Sequence, residues 1–574
     1  MTEDIYLFMN DKILLIGINA KYSHTNPAIR YLKNYCGEDR IEIREYTINN
    51  DMDMVLSDLL SHEAGVYAFS VYIWNVSYVY SLCDSIRKAS GAYILLGGPE
   101  VTYDAGTALE HSDFVMLGEG EKAFDAFQKT YFAGGDLKTC PSLCYMDGER
   151  MIHNRQSEPV NLETVEEPYF DIDDLKGRLI YYESSRGCPF SCAYCLSSSD
   201  KNVRYTSIEK VRKDLRKYID AGAMKVKFVD RTFNAVRKRA ADIIRFVNEE
   251  GRDTEFHFEI AADLIDEDFI DAVNHSKKGK LFLEIGLQST YLPTLRAINR
   301  VQDIAYTDNV VRRMLLGHRA NIHLDLIAGL PLEDYVHFKR SFDDCMAMMA
   351  PVVQLGFLKV LKGSPMEKMT ERYGIRYCKQ APYEVISTDA ISSSELDELR
   401  RVEYFLERIY NSGLYYHFVH RAVHVEGSYF DFFEKVIENS DSAGTDPKKL
   451  TEQDMAHILF EYAESTGDRI LIDCFKLDWY LRKGRAYLSA DIERPEDWKK
   501  DFYRKMPETL RARLPKNKRP WHYSRIEKFS FDVKALTEDL ELREGEYIYF
   551  FDYCTGEAPE ITEIIEDSGE YIVK

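Results

Sequence analysis

The residues best suited to chemistry stand together in Ser184-Ser185-Arg186-Gly187-Cys188-Pro189-Phe190-Ser191-Cys192-Ala193-Tyr194-Cys195, with three cysteines at C-x3-C-x2-C spacing. Three thiolates on one short loop can converge on a metal centre. A structural zinc site takes four protein ligands, and the loop holds no fourth Cys or His. A cubane iron–sulfur cluster also ordinarily takes four cysteines. Three leave one iron without a protein ligand, the open position that catalysis needs and a structural site avoids. The competing readings are three unrelated buried thiols and a three-cysteine zinc site.

The elements around the loop must aim it. A β-like run, Leu179–Glu183, leads into it, and further strands are expected at Val226–Val229, Glu255–Ile260, Leu281–Gly286, Ile322–Ile327 and Val353–Leu358, each separated from the next by helical periodicity. This alternation fits a partial (β/α)6 barrel over residues 173–370, and parallel barrels carry their sites at the C-terminal strand ends. Polar residues fall at those ends: Asp230-Arg231-Thr232, Glu259, Glu284 with Gln288 and Arg300, and Asp325. Carboxylates spaced by barrel units meet at one mouth, where they suit the ammonium and ribose hydroxyls of a cationic ligand, with arginine for its carboxylate.

Arg186-Gly187 before the first cysteine and Tyr194 before the last resemble the radical S-adenosylmethionine (SAM) enzymes. The resemblance implies a 4Fe-4S cluster on Cys188, Cys192 and Cys195, with the amino and carboxylate groups of SAM on the open iron. It implies SAM contacts at Tyr194, Glu259, Gln288 and Arg300, and also at Glu284 and Asp325. The implied reaction is one-electron cleavage of the SAM C5′–S bond to a 5′-deoxyadenosyl radical, which abstracts hydrogen from an unactivated carbon. A flavodoxin- or ferredoxin-type electron donor is the implied partner.

Ahead of the barrel, residues 1–150 alternate five strands (Ile13–Ile18, Ile41–Tyr46, Val66–Val71, Tyr93–Leu96 and Phe114–Leu117) with helices. That pattern predicts a flavodoxin-like, doubly wound parallel sheet with its ligands at the carboxyl strand ends. The loops there include Tyr22, Ser70 with Tyr72, Gly97-Gly98-Pro99-Glu100 and Gly118-Glu119-Gly120-Glu121, whose glycines let a large ligand approach the backbone. Their order resembles the cobalamin-binding domain of one radical SAM class. The resemblance implies cobalamin at Tyr22, Ser70, Tyr72, Gly97, Gly98, Pro99, Glu100, Glu119, Gly120 and Glu121. No D-x-H-x-x-G element is present, so no histidine is expected beneath cobalt. With methylcobalamin the implied outcome is methyl transfer, a second SAM remethylating the cobalt; radical rearrangement or cyclisation, with or without cobalamin, stays open. The reading from another class is a non-catalytic iron–sulfur electron carrier.

Cys140 and Cys144 flank Pro141-Ser142-Leu143, and the stretch continues into a hairpin turning at Asp147-Gly148, which predicts ordinary hairpin residues. Residues 371–574 form a mostly helical C-terminal domain with late strands at Lys528–Val533 and Glu546–Tyr553. There His417, His420 and His424 share a helix face, read as packing or as metal ligands. The whole chain is 574 residues, long enough for roughly three or four domains, with 11 cysteines and net charge −22. An odd, scattered cysteine set argues against secreted disulfides. Met1-Thr2-Glu3-Asp4-Ile5 lacks a signal-peptide pattern, no membrane-spanning apolar run appears, and a cytoplasmic enzyme is expected. The acidic balance disfavours nucleic acid; the basic stretch from Lys499 to Arg519 is interleaved with carboxylates and reads as a solvated face.

Overall fold

The computed structural model describes residues 11–169, 178–442, 449–482, 492, 496–516, 518–539, 541–554 and 558–574. The chain forms two compact units, the first comprising residues up to 338, 348–350 and 355–396, the second 339–347, 351–354 and 397–574.

In the first unit, β1 (Ile13–Asn19), β2 (Ile41–Thr47), β3 (Val66–Ser70), β4 (Tyr93–Gly97) and β5 (Phe114–Met116) pair in parallel in the order β2-β1-β3-β4-β5. The hairpin β6 (Leu143–Asp147) and β7 (Arg150–His153) extends the β5 edge antiparallel. Strands covered on both faces read as continuous apolar runs, and all of β1 is buried. Leu14, Ile16 and Ile18 face α2 (Met52–Ser61), α3 (Val76–Ala89), α4 (Pro99–Thr102) and α5 (Ala105–His111), while Ile13 and Leu15 face α1 (Pro27–Cys36) and α6 (Glu121–Phe132). The predicted doubly wound sheet is present, with Gly148 at the hairpin turn at φ +61°.

The same unit holds a parallel six-stranded sheet of β8 (Leu179–Tyr182), β11 (Lys225–Phe228), β12 (Glu255–Ile260), β13 (Leu281–Gln288), β14 (Asn321–Ala328) and β15 (Val352–Phe357), each beside its sequence neighbour. The short β9 (Ser185–Arg186) and β10 (Arg204–Tyr205) form a separate ladder. Helices α7 (Ile208–Asp220), α8 (Arg237–Glu250), α9 (Glu267–Asn274), α10 (Leu292–Ala297) and α11 (Ile304–Leu315) alternate with the strands, and α12 (Tyr335–Ala347), most of which is assigned to the second unit, follows β14 in the chain. In β12, Phe256, Phe258 and Ile260 are buried and alternate with half-buried Glu255, His257 and Glu259. That period-2 pattern leaves His257, Glu259, Glu284 and Asp325 on the opposite strand face from the apolar set.

In the second unit, α14 (Tyr416–Glu426), α15 (Tyr429–Ser442), α16 (Glu452–Thr466) and α17 (Arg469–Arg482) pack around Phe418, Phe432, Tyr462 and Phe475, ahead of an antiparallel four-stranded sheet whose first strands span Ser524–Phe531 and Glu544–Asp552. Among the described residues no helix is long and apolar enough to cross a membrane.

Candidate active site

The cysteine loop is a hairpin whose neck is the β9–β10 ladder, with Arg186 opposite Arg204 and Ser185 opposite Tyr205. Gly187 sits at φ +100°, and a Cβ there would lie 2.9 Å from Asn202 O and 3.2 Å from Val203 Cα. Only glycine lets the two limbs approach so closely in that conformation. Behind the neck, the fully buried Asp230 accepts hydrogen bonds from Ser184 N (2.7 Å), Ser184 Oγ (2.6 Å) and Ser185 Oγ (2.7 Å). Burial pushes its carboxyl up to about 6 although those three donors pull it down. At the tip, Cys188 N bonds Asp200 O, Ala193 N bonds Ile298 O, and Met366 N bonds Ala193 O.

Cys188 and Cys192 are buried, Cys195 is half-buried, and all three are free thiols. Cys188 Sγ lies 3.4 Å from Thr232 Oγ1, and Cys192 Sγ accepts from Arg300 Nη1 at 3.7 Å. Among the described residues no three His, Cys, Asp or Glu side chains are drawn together around a single ion. A cubane asks for something else: each thiolate binds a different iron, so the sulfurs stand farther apart than ligands of one ion. Three free thiols on one braced loop, with no histidine or fourth cysteine beside them among the described residues, fit that donor set.

The strand-end residues of the barrel lie on neighbouring strands. Glu259 pairs with Glu284 in register across β12–β13, and Gly286 with Asp325 across β13–β14. Arg300 donates to Gly286 O, to Tyr194 Oη at 3.2 Å and to Gln302 Oε1 at 2.8 Å. Gln288 stands at φ +69°, folded over Gly286, where a Cβ would strike its amide. Gln288 Oε1 and Asp325 Oδ1 are buried and have no hydrogen-bond partner among the described residues. Buried polar atoms are nearly always paired, so this mouth fits a donor-rich, cationic ligand such as SAM. The charges agree. Burial raises the pKa of Glu259, and burial followed by Glu284 and Glu259 raises that of Asp325 well above the carboxylate range. Glu284 is different: its hydrogen bond from His257 Nε2 (2.8 Å) and the Lys227 ammonium (3.2 Å) bring it down to about 2. Glu284 is already partnered below the mouth; Glu259 and Asp325 are the carboxylates a cation would relieve.

A cavity of about 350 Å³ lies at the carboxyl edge of the N-terminal sheet. Its walls include Ser70, Tyr72, Gly97, Gly98 and Gly118–Glu121 from the sheet, and Tyr181, Glu183, Arg186 and Val229 from the barrel. Gly98, at φ +120°, packs against the Val71 backbone so closely that any Cβ would enter it. Apolar walls with a few polar edges, backbone exposed at glycines and a mouth shared with the barrel strand ends fit a large planar macrocycle such as a corrinoid. Seven of the residues expected at cobalamin line it: Ser70, Tyr72, Gly97, Gly98, Glu119, Gly120 and Glu121. Three lie elsewhere. Tyr22 is 83% exposed. Pro99 opens α4, and the helical turn carries Glu100 to the Tyr383 hydroxyl.

Residues that the sequence marked at most by their position complete the site. His24 Nδ1 meets Tyr181 Oη at 3.0 Å, joining the first sheet loop to the barrel wall. Arg186, noted only as a motif residue, is paired with Glu119, Glu121 and Glu183. Asp230 braces the loop. The only sequence signal for these was position at a strand end. Of the alternatives elsewhere, Cys144 is a buried residue of hairpin strand β6, and Cys140 is buried at the end of the 3-10 turn Leu137–Thr139 that precedes it. His417 Nδ1 bonds Asp478 and His420 Nδ1 bonds Tyr429 Oη, so those rings are packed side chains. Lys499, Lys500, Arg504, Lys505 and Arg513 pair with carboxylates.

Comparison with known proteins adds family to geometry. A B12 binding domain matches residues 13–128, the radical SAM superfamily matches 182–345, and a protein family of unknown function (DUF4080) matches 371–551. Over 203 residues the chain is 28% identical to an uncharacterized methyltransferase of Pyrococcus horikoshii, covering 33% of this chain and 44% of that protein. Over 410 residues it is 24% identical to the cobalamin-dependent radical SAM methyltransferase TokK of Streptomyces tokunonensis, covering 65% of this chain and 59% of that one. The chain thus spans about half the length of these curated relatives. The solved structure of the cobalamin-dependent S-adenosylmethionine radical enzyme OxsB with aqua-cobalamin bound shares the fold, with TM-score 0.60 at 14% identity over 84% of this chain and 82% of that one. The radical SAM domain implies a 4Fe-4S cluster and SAM, and the B12-binding domain implies cobalamin.

Proposed function

We infer that this cobalamin-dependent radical SAM enzyme transfers a methyl group from SAM to an unactivated carbon of its substrate. The observation that carries the reading is the shared cavity: the glycine-edged rim of the B12-binding domain and the barrel residues Tyr181, Glu183, Arg186 and Val229 wall one space, next to the cysteine loop. TokK and the Pyrococcus relative, both named as methyltransferases, support the methyl outcome. Bound here, the cluster supplies the electron that breaks the SAM C5′–S bond and the corrinoid supplies a transferable methyl group.

The chain's own residues hold and orient. Cys188, Cys192 and Cys195 would hold three irons and leave the fourth to SAM. Arg300, at hydrogen-bond reach of Tyr194 and Cys192, keeps one guanidinium between the thiol and the mouth. Gln288 Oε1, Asp325 and Glu259 offer acceptors to a cation. Ser70, Tyr72, Gly97 and Gly98 would support one face of the corrinoid, and Tyr181 and Val229 would close the barrel side, excluding water from a reactive carbon radical.

The test is anaerobic reconstitution of the full chain with iron, sulfide and hydroxocobalamin, then incubation with methyl-labelled SAM, dithionite and an extract of small metabolites. The expected result is reductant-dependent 5′-deoxyadenosine together with labelled methyl in a product, both lost in Cys192→Ala. 5′-Deoxyadenosine with a product that carries no label would instead assign rearrangement or cyclisation. Equal 5′-deoxyadenosine from wild type and Cys192→Ala would overturn the cluster assignment.

A further inference from the structure

The Gly118–Glu121 loop does more than wall the cavity. Arg186 and Arg204 are direct partners across the β9–β10 ladder, so the neck of the cysteine loop opposes two guanidiniums. Like charges directly opposite on paired strands are destabilising. The carboxylates that close this neck come mainly from the other side of the cavity. Glu119 Oε2 lies 3.1 Å from Arg186 Nη1, and the other Glu119 oxygen pairs with Arg204. Glu121 Oε1 lies 2.8 Å from Arg186 Nη2, and Glu183 adds a contact at 2.7 Å. Glu121 is only 4% exposed, and Glu119 is fixed further by Val160 N at 3.1 Å. Burial works against charge on Glu119, yet the Arg204 hydrogen bond and the Arg186 charge leave its pKa below the usual carboxylate range. Breaking a buried ion pair from one side strands the other charge and is strongly destabilising.

We propose that Glu119 and Glu121 are positioning residues that latch the cysteine loop to the corrinoid cavity, so that filling the cavity and ordering the loop are linked. Of the carboxylates that neutralise the neck, Glu119, Glu121 and Glu183 line the cavity, and Asp200, 3.6 Å from Arg204, belongs to the cysteine loop itself. A ligand that immobilises Gly118–Glu121 therefore immobilises the partners of Arg186 and Arg204. The ordering cost is then met once for both sites, and by reciprocity an assembled cluster loop tightens the cavity for its ligand. The linkage rests on the corrinoid reading of the cavity; the latch rests on the ion pairs alone.

Amide hydrogen exchange on the full chain, prepared without iron or corrinoid, separates the two. In Glu119→Gln/Glu121→Gln, exchange across residues 187–203 is expected to rise roughly tenfold or more, while Leu281–Gln288 keeps its protection. Hydroxocobalamin is expected to slow exchange across 187–203 in wild type and to leave the double variant unchanged, and Glu121→Asp, which keeps the charge, should respond as wild type does. Equal loop protection in wild type and double variant overturns the latch. Binding that slows the loop equally in both overturns the linkage. If no spectral shift reports hydroxocobalamin binding while the double variant still loosens, the corrinoid reading and the linkage fall and the latch stands. Should Leu281–Gln288 also lose protection, the single Glu121→Gln variant, with Glu119 still bridging both arginines, is judged against the same threshold.

Discussion

Replacing Gly187 by alanine isolates what the first residue of the cysteine motif contributes. At φ +100° a side chain costs about 1–3 kcal/mol in backbone strain. The added Cβ would also lie 2.9 Å from Asn202 O and 3.2 Å from both Asn202 C and Val203 Cα, all backbone atoms of the opposite limb. Forcing them apart adds about 1–3 kcal/mol, and the stiffer unfolded chain returns about 0.4–1 kcal/mol. The net expectation is about 1–6 kcal/mol against the closed hairpin, with the rest of the barrel untouched. Gly222→Ala is the control, because Gly222 has φ +74° with nothing within 4 Å of its would-be Cβ; it should cost about 1 kcal/mol in its own helix end. Hydrogen exchange gives each local opening energy, and iron and acid-labile sulfide after reconstitution report whether the thiols still hold a cluster. If Gly187→Ala costs no more than Gly222→Ala and retains full iron, the close approach of the two limbs is not what shapes the loop.

Three further outcomes follow from other parts of the molecule. Arg300→Lys keeps the charge but cannot span Gly286 O, Tyr194 and Gln302 together, so SAM affinity of the reconstituted protein should fall about 10–100-fold; an unchanged dissociation constant by equilibrium dialysis would remove Arg300 from the SAM site. Gly98→Ala must displace the Val71 backbone, and hydroxocobalamin titration by absorbance should weaken at least about tenfold, whereas Gly91→Ala, which has open space around it, should titrate as wild type. His420 is held down to about 4, first by burial and then by His417 and His424. Its folded pKa lies below the ordinary 6.5, so the unfolded chain takes the proton first. The stability of the helices around α14 should therefore be full above pH 6.5 and fall by up to about 3 kcal/mol as pH drops towards 4. Exchange protection of α14 across that range should flatten in His420→Phe, and an unchanged slope would count against this origin.

Much of the site was legible from local rules. The C-x3-C-x2-C spacing survives any packing, because three cysteines within eight residues cannot separate far. Glu259, Glu284 and Asp325 were legible because period-2 alternation assigns strand residues to a face, and barrel units repeat that face around one mouth. Glu100 shows what such rules leave open: the resemblance put it at the corrinoid, and the structure adds that Pro99 starts a helical turn and that the Glu100 carboxylate accepts from the Tyr383 hydroxyl. Glu284 was read as a SAM contact, and its hydrogen bonds with His257 and Lys227 were not legible in the sequence.

Sequence alone thus determined the inventory: an open-site cysteine loop, a barrel to carry it and a doubly wound sheet with glycine-rich edges, since each is written in spacing and periodicity over short spans. Tertiary structure alone decided which groups meet. Glu119 reaches Arg204 across 85 positions, His24 reaches Tyr181 across 157, and Asp230 reaches Ser184 across 46. Charge pairing in a shielded cavity wall depends on distance and burial, and neither is encoded in the identity of a residue or its neighbours. The chain names the thiols; the fold supplies the carboxylates that close the loop around them.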